Sequence, residues 1–267
     1  VISGLAFKVS AAPFHMWTPD VYDGAPTPVS AFLSAVSKTA GFALILRLVY
    51  SMLGSQPFIP LLLIVLSVVS MTIGNLVALR QNRLKRMLAY STIAQAGYIL
   101  LGLVTATYSM IYSGGSSVFP GNITLIYYLI AYVFMNLGAF ACVVYFNAQT
   151  GSDDIRDIAG LVKKSPFVAF SFTVFLLSLA GMPITSGFFA KFFLFQAIGT
   201  QAPLYPLMIF ALINSVVSLY YYLRVVKVMV VDEVSEEIAV RAGSFRNSLS
   251  LNSAIAITLT ATIFLGI

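Results

Sequence analysis

The stretch SFTVFLLSLAGMPITSGFFAKFFLF, residues 171–195, lies inside an apolar run that extends from 165 to 198. As one straight helix this run would be about 51 Å long, whereas the hydrocarbon core of a membrane is about 30 Å thick. GMPITSG at 181–187 interrupts the run with two glycines and a proline, and these residues break a helical hydrogen-bond ladder. The sequence therefore predicts one membrane span that is built from two half-helices.

The rest of the chain is equally apolar. Apolar residues make up 59% of the 267 residues and charged residues only 9%, whereas soluble domains usually carry about 25% charged residues. Seven runs are long enough to span a membrane, and an eighth is truncated. The runs are 27–53, 58–79, 87–108, 123–147, 165–198, 204–231 and 248–267, with 1–12 as the truncated one. We predict an all-α, polytopic bundle of transmembrane helices, in which 1–267 is a single domain and a piece of a longer protein that continues before Val1 and after Ile267.

The opening run is interrupted in the same way as the run at 165–198. AAPFHMWTPD at 11–20 brings two prolines into it. Broken helices are tolerated at membrane depth where protein or water receives the freed backbone groups, and transporters build ion sites at such breaks. Two breaks, each with a lysine nearby, favour a transport function over plain packing.

Along the chain, charged and uncharged connections between the runs alternate. The uncharged ones are 54–57, 109–122 and 199–203. The others, together with two bases at a helix end, hold all 9 acids and 11 of the 15 bases. They are 13–26, 80–86, 148–164 and 232–247, with Arg224 and Lys227. The positive-inside rule assigns this charged side to the cytoplasm or its topological equivalent.

Four bases remain inside the apolar runs: Lys8, Lys38, Arg47 and Lys191. Arg47 is near its helix end and can extend its guanidinium to the membrane surface. The three lysines are deeper, where a charge costs about 2.5–3.5 kcal/mol and usually marks a functional pathway. No carboxylate of this chain lies in a span, and burial disfavours the charged form of lysine. We therefore predict that Lys8, Lys38 and Lys191 relay protons; the alternative is three structural lysines bonded to freed carbonyls.

Several classes of site are excluded by composition. The single cysteine, Cys142, excludes a disulfide framework and an iron–sulfur cluster held by this chain. The single histidine, His15, leaves no histidine cluster for a metal, and no phosphate-binding or dinucleotide motif occurs. We expect no cofactor, metal or nucleic acid on this chain. His15 could serve as a proton gate or as a plain polar contact.

Two further groups have structural interpretations. Tyr220, Tyr221 and Tyr222 stand near a helix end, which predicts an aromatic belt at the membrane interface. Asp20 and Asp23 in the first connection are expected to cap helices.

Five segments resemble the antiporter-like membrane-arm subunits of respiratory complex I and its photosynthetic relatives, most closely the subunit N branch, which is subunit 2 in the chloroplast and cyanobacterial enzymes. They are FKVSAAPFHMWTPDVYDGAPTPVSAFLSAVSK (7–38), NRLKRMLAYSTIAQAGY (82–98), YVFMNLGAFACVVYF (132–146), GMPITSGFFAK (181–191) and SVVSLYYYLRVVK (215–227). The resemblance covers essentially the whole chain and corresponds to the second half of such a subunit.

The resemblance implies inverted five-helix repeats, each with a discontinuous helix, around a polar axis. Lys8 matches the family's lysine of the first broken helix, Lys38 that of the next helix, and Lys191 that of the second broken helix. The family's glutamate partner would precede Val1. NAD(P)H or ferredoxin, FMN, iron–sulfur clusters and quinone are bound by partner subunits in that family.

The resemblance thus implies a non-redox, proton-translocating membrane subunit of a complex I-type NAD(P)H or ferredoxin:quinone oxidoreductase. Its partners would be protons, the lipid bilayer and the other membrane-arm subunits, in a bacterial plasma membrane or alternatively a thylakoid membrane. One alternative is a subunit of a multisubunit sodium/proton antiporter, which shares the fold. The other is a structural membrane scaffold with inert lysines.

Overall fold

A computed structural model describes residues 2–53, 56–112, 121–232 and 248–266, and throughout these ranges the regular structure is helical. The α-helices, in chain order, are α1 (Ile2–Val9), α2 (Trp17–Gly24), α3 (Thr27–Phe32), α4 (Lys38–Leu48), α5 (Ile59–Ala78), α6 (Leu84–Tyr112), α7 (Gly121–Thr150), α8 (Leu161–Lys164), α9 (Pro166–Ala180), α10 (Ser186–Gly199), α11 (Tyr205–Val230) and α12 (Leu249–Phe264). Short 3₁₀ turns cover Ile155–Ile158 and Ala202–Leu204. The predicted all-α, polytopic fold is confirmed.

Five stretches of helix are long and apolar enough to cross a membrane. They are Thr27–Met52, Ile59–Ala78, Leu84–Tyr112, Gly121–Thr150 and Ala202–Val230. The first of these joins α3 to α4 through a π-helical turn at Leu33–Ser37. Three shorter apolar helices are α9, α10 and α12. Of these, α9 and α10 are the two halves of the predicted broken span.

The opening run is also a pair of half-helices, α1 and α2, joined by turns over residues 10–16. The prediction that 13–26 is a connection was therefore wrong for most of its length. Helix resumes at Trp17 and continues to Gly24, because Pro19 falls in the first turn of α2, where no backbone N–H is required. Only the short segment between Gly24 and Thr27 connects α2 to the next helix.

The centre of the bundle is α6, which packs against α5, α7, α10 and α2. Of its most apolar 18-residue window, 94% is buried inside the protein. A helix this thoroughly surrounded by protein can carry polar side chains without exposing them to lipid. The polar residues of α6 therefore face neighbouring helices.

α5 and α6 make a close contact through two glycines. A Cβ atom on Gly74 would come within 2.5 Å of the Ala94 backbone nitrogen, and one on Gly97 within 2.8 Å of the Met71 nitrogen. The Ser67 hydroxyl donates a hydrogen bond to the Gly97 carbonyl at 2.7 Å. Small residues that let two backbones approach are the usual interface of helices in membranes.

The charged connections meet at one end of the bundle. Arg83 pairs with Asp23 at 2.6 Å, and Lys85 with Asp153 at 3.2 Å. Arg224, near the end of α11, donates to the Asn82 side-chain oxygen at 2.7 Å. The expectation that these connections share one side is therefore confirmed for 80–86, for the end of α2 and for 152–154. The predicted connections at 54–57, 109–122 and 232–247 lie largely outside the described residues.

The expected capping role of Asp20 and Asp23 was wrong. Asp20 pairs with Arg86 at 3.2 Å, and Asp23 pairs with Arg83. The reason is tertiary, because α2 packs against α6 and its acids meet Arg83, just before α6, and Arg86, in the first turn of α6.

Candidate functional site

The second broken helix holds Lys191 one turn into α10. The Lys191 ammonium donates to the Ala180 carbonyl at 2.8 Å and to the Ser215 hydroxyl at 2.9 Å. Ala180 is the last residue of α9, so its carbonyl is one of those that a helix end leaves without an intrahelical partner. The ammonium also lies 4.8 Å from the centre of the Tyr98 ring, within range of a cation–π interaction. The side chain is buried, with 4% of Lys191 exposed.

The half-helices α9 and α10 approach each other very closely at the break. The Gly187 N–H donates to the Ser178 hydroxyl at 3.1 Å. A Cβ atom on Gly187 would lie 1.8 Å from the Ser178 carbonyl oxygen. Glycine is therefore required at this position, and it brings the start of α10 against the end of α9.

Lys38 is also buried against α6, with 2% exposed. It is the first residue of α4, directly after the π-helical turn. Its ammonium donates to the Thr92 hydroxyl at 2.8 Å and lies 5.9 Å from the centre of the Tyr22 ring. Such π-helical insertions occur frequently at functional sites.

Neither buried lysine has an acidic partner among the described residues. The ion pairs in this part of the chain join bases and acids at the charged end of the bundle. No group of three or more histidine, cysteine, aspartate or glutamate side chains that could hold a metal occurs among the described residues. Lys38 and Lys191 are thus solvated by hydroxyl groups, a carbonyl and aromatic rings.

Lys8 precedes the first break and His15 lies within it. Lys8 is in the last turn of α1 and is exposed, and its side chain passes over Gly41 of α4. His15 lies in the turns between α1 and α2 and is 6% exposed, and its Nδ1 has no hydrogen-bond partner among the described residues. The structure therefore brings Lys38 and Lys191 into the polar interior around α6 and leaves Lys8 on an outer face.

Sequence reasoning missed a group of polar side chains between the two buried lysines. Gln95 of α6 donates to the Leu179 carbonyl at 3.0 Å. The Tyr128 hydroxyl donates to the Gln95 side-chain oxygen at 2.5 Å. The Tyr222 hydroxyl lies 2.5 Å from the Ser91 hydroxyl. The available signal was the recurrence of polar residues on one face of α6, at Ser91 or Thr92, Gln95 and Tyr98, within an apolar run.

The predicted aromatic belt was wrong for two of its three tyrosines. Tyr220 is 65% exposed, but Tyr221 and Tyr222 are buried. The Tyr221 hydroxyl donates to the Asn75 oxygen at 3.1 Å, and the Asn75 amide donates to the Asn214 side-chain oxygen at 3.2 Å. These tyrosines therefore extend the polar interior from α6 to α5 and α11.

Broken helices, freed carbonyls and buried lysines define the class of antiporter-like membrane proteins. The family model described as NADH:quinone oxidoreductase/Mrp antiporter, transmembrane, matches residues 1–218. The chain belongs to this family. As predicted, its curated relatives carry the name of the subunit 2 branch.

NAD(P)H-quinone oxidoreductase subunit 2 of Rippkaea orientalis is 50% identical over 239 residues, which cover 88% of this chain and 44% of that protein. The chloroplastic subunit 2 of Chaetosphaeridium globosum is 44% identical over 277 residues, covering 100% of this chain and 52% of that protein. The chain thus spans about half the length of the curated relatives it matches.

A solved structure of respiratory complex I from Thermus thermophilus, with bound aureothin, contains a similar chain. The TM-score is 0.79 and the sequence identity 33%, and the match covers 98% of this chain and 54% of that chain.

Proposed function

We propose that this chain is a proton-translocating part of a membrane subunit in an NAD(P)H- or ferredoxin-dependent quinone oxidoreductase of the complex I type. The single observation that carries the proposal is the pair of buried lysines, Lys38 and Lys191, without an acid beside them among the described residues. Without an acid beside it, the ammonium of a buried lysine is not held in an ion pair that would favour its charged form. Two such groups joined by polar side chains are suited to passing protons.

Each lysine has a distinct role in the proposal. Lys38 and Lys191 are the central relay groups, and both are surrounded by groups that accept a hydrogen bond from an ammonium. Lys8, exposed on α1, is the group that an acid from another part of the complex would contact. His15, in the first break, would act as a proton gate.

The rest of the assembly supplies the redox chemistry. Relatives bear the name of an oxidoreductase subunit, which supports other subunits of that complex as partners. NAD(P)H or ferredoxin, FMN, iron–sulfur clusters and quinone would bind to those subunits. The membrane would be a bacterial plasma membrane or, as the chloroplastic relative suggests, a thylakoid membrane.

The test replaces Lys38 by Met in the intact complex, in sealed membrane vesicles. We expect proton pumping to fall while the complex still assembles, because the relay loses a protonatable group. Quinone reduction and the acidification of the vesicle interior are measured together. Arg47→Met is the matched control, since Arg47 is a base of the same helix α4 but is exposed. Unchanged pumping by a fully assembled Lys38→Met complex would exclude the relay.

Two alternatives have distinct outcomes in the same vesicles. A subunit of a sodium/proton antiporter, favoured by the second half of the family's description, would acidify the vesicles in response to a sodium gradient without a quinone. A structural scaffold would tolerate Lys8→Met, Lys38→Met and Lys191→Met without any loss of pumping.

A further inference from the structure

Lys85 joins the end of α2 to the start of α6. It lies in the first turn of α6, and its ammonium donates to the backbone carbonyls of Asp23 at 2.9 Å and Ala25 at 3.3 Å. Asp23 is in the last turn of α2, and Ala25 directly follows that helix. Carbonyls at the C-terminal end of a helix lack an intrahelical partner, and the helix dipole favours a cation there. Lys85 therefore caps the second half of the first broken helix.

The contacts of Lys85 are shielded from water. Lys85 is 7% exposed and Asp153, whose carboxylate pairs with its ammonium at 3.2 Å, is 8% exposed. Asp153 is itself held in place, because its backbone carbonyl accepts from the Leu84 N–H at 2.7 Å and its carboxylate from the Asn147 amide at 2.7 Å. Removal of the Lys85 ammonium would leave a buried carboxylate and two helix-end carbonyls without this donor, which is costly in a buried site.

Two more ion pairs connect α2 to the start of α6, but they are open to solvent. Arg83, which pairs with Asp23 at 2.6 Å, has a side chain that is 52% exposed. Arg86 pairs at 3.2 Å with Asp20, whose side chain is 72% exposed. Exposed ion pairs contribute little to stability. These arginines also bind side chains of α2, whereas Lys85 binds the main chain and so fixes the backbone at the end of the helix.

The residue before Asp23 is Tyr22, which contacts a proposed relay group. Tyr22 is fully buried, and the centre of its ring lies 5.9 Å from the Lys38 ammonium, within range of a cation–π interaction. The Tyr22 carbonyl accepts from the Ser30 hydroxyl at 2.8 Å. Because Lys85 bonds to the residue that directly follows Tyr22, the position of the ring beside Lys38 depends on how Lys85 holds the end of α2.

We propose that Lys85 is a positioning residue for the proton relay, which acts through the end of α2 to hold the Tyr22 ring beside the Lys38 ammonium. The face of an aromatic ring attracts an ammonium but has no such attraction for a neutral amine. A displaced ring therefore changes the balance between the two forms of Lys38 that a relay uses. The inference rests on the proposed proton relay and adds a base at the charged end of the bundle that adjusts one of its buried groups.

The experiment compares Lys85→Met, Tyr22→Leu and the double variant in the intact complex in sealed vesicles. The protons pumped per quinone reduced are measured. We expect Lys85→Met to lower this ratio by up to about fivefold, the change in equilibrium that corresponds to a cation–π interaction of about 1 kcal/mol. Tyr22→Leu removes the ring itself and should lower the ratio at least as much. The double variant should be no lower than Tyr22→Leu, because Lys85 then has no ring to position.

Arg86→Met is the matched control, because Arg86 is the next residue of the same helical turn and its nearer ion pair is with the exposed Asp20. We expect it to pump with a ratio close to that of the wild-type complex. The inference is overturned if assembled Lys85→Met has the wild-type ratio, if Arg86→Met loses as much as Lys85→Met, or if the losses of Lys85→Met and Tyr22→Leu multiply in the double variant. Loss of pumping in Lys38→Met with a wild-type ratio in Lys85→Met would overturn this inference and leave the relay intact.

Ser30→Ala provides a second route if Lys85→Met does not assemble. It removes the hydroxyl group that donates to the Tyr22 carbonyl and leaves the ring and Lys85 in the protein. We expect a smaller fall in the pumping ratio than in Tyr22→Leu, and no further fall when the two substitutions are combined. A wild-type ratio in Ser30→Ala would contradict the dependence of the relay on the position of Tyr22.

Discussion

The two broken helices place their lysines on opposite sides of the break. Lys8 precedes the first break, in the last turn of α1, and is exposed. Lys191 follows the second break, within α10, and is buried against the end of α9. The two sites look alike in sequence, because each has a lysine near a proline in an apolar run. They differ in the structure, because Lys191 donates a hydrogen bond to the helix end before its break, whereas Lys8 lies before its break and is exposed.

The backbone groups freed at the two breaks are satisfied in different ways. At the first break, the Ala12 N–H donates to the Ser70 hydroxyl of α5 at 2.8 Å. At the second, the Ala180 carbonyl receives the Lys191 ammonium itself. At the second break a proposed proton carrier, Lys191, therefore satisfies a freed backbone carbonyl. At the first break a hydroxyl group of α5 satisfies the freed N–H instead of Lys8.

The largest expected effect that distinguishes the breaks comes from Gly187→Ala. Its Cβ would overlap the Ser178 carbonyl, so α9 and α10 must separate, and we expect a loss of about 3 kcal/mol, the upper end of overpacking costs. The measurement is the thermal midpoint and yield of the purified complex.

Gly4→Ala in α1 is the control for that substitution, because nothing lies within 4 Å of a Cβ there. We expect it to be neutral or to stabilise the helix by about 0.5–1 kcal/mol. If the Gly187→Ala and wild-type complexes had the same thermal midpoint, α9 and α10 would not be in the close contact described at Gly187.

A smaller effect is expected for Ser70→Ala at the first break. The buried Ala12 N–H would lose its acceptor, which costs about 1–3 kcal/mol. Thermal unfolding of the complex measures the loss. Ser253→Ala serves as the reference, since the exposed Ser253 hydroxyl bonds only to its own helix and should change stability by less than about 0.5 kcal/mol. Identical stability of both variants would mean that α5 does not support the first break.

The smallest effect is expected for Ser215→Ala at the second break. The Lys191 ammonium loses one acceptor and keeps the Ala180 carbonyl, so we expect a loss of about 1 kcal/mol. Pumping should persist, in contrast to Lys191→Met, which removes the protonatable group. Pumping assays of the two variants side by side check this. A Ser215→Ala complex as inactive as Lys191→Met would assign the relay function to the hydroxyl.

The sequence predicted the spans, both breaks and the burial of Lys38 and Lys191 but not the exposure of Lys8, because apolar run length, proline and intramembrane charge are local properties. It did not predict Gln95 or Tyr222, since a polar residue in an apolar run faces either lipid or protein according to how several helices pack. Tyr222 was expected at the interface because it stands near the predicted end of a helix. However, α11 continues to Val230, so the tyrosine lies about 12 Å inside that helix end.

The close contact of Gly74 and Gly97 has a consequence for motion in the bundle. Sliding α5 along α6 by one residue would bring a side chain into a gap that holds only glycine, with backbone atoms less than 3 Å away. The register between these two helices is therefore locked, and α6 acts as a fixed reference for Thr92 and Gln95.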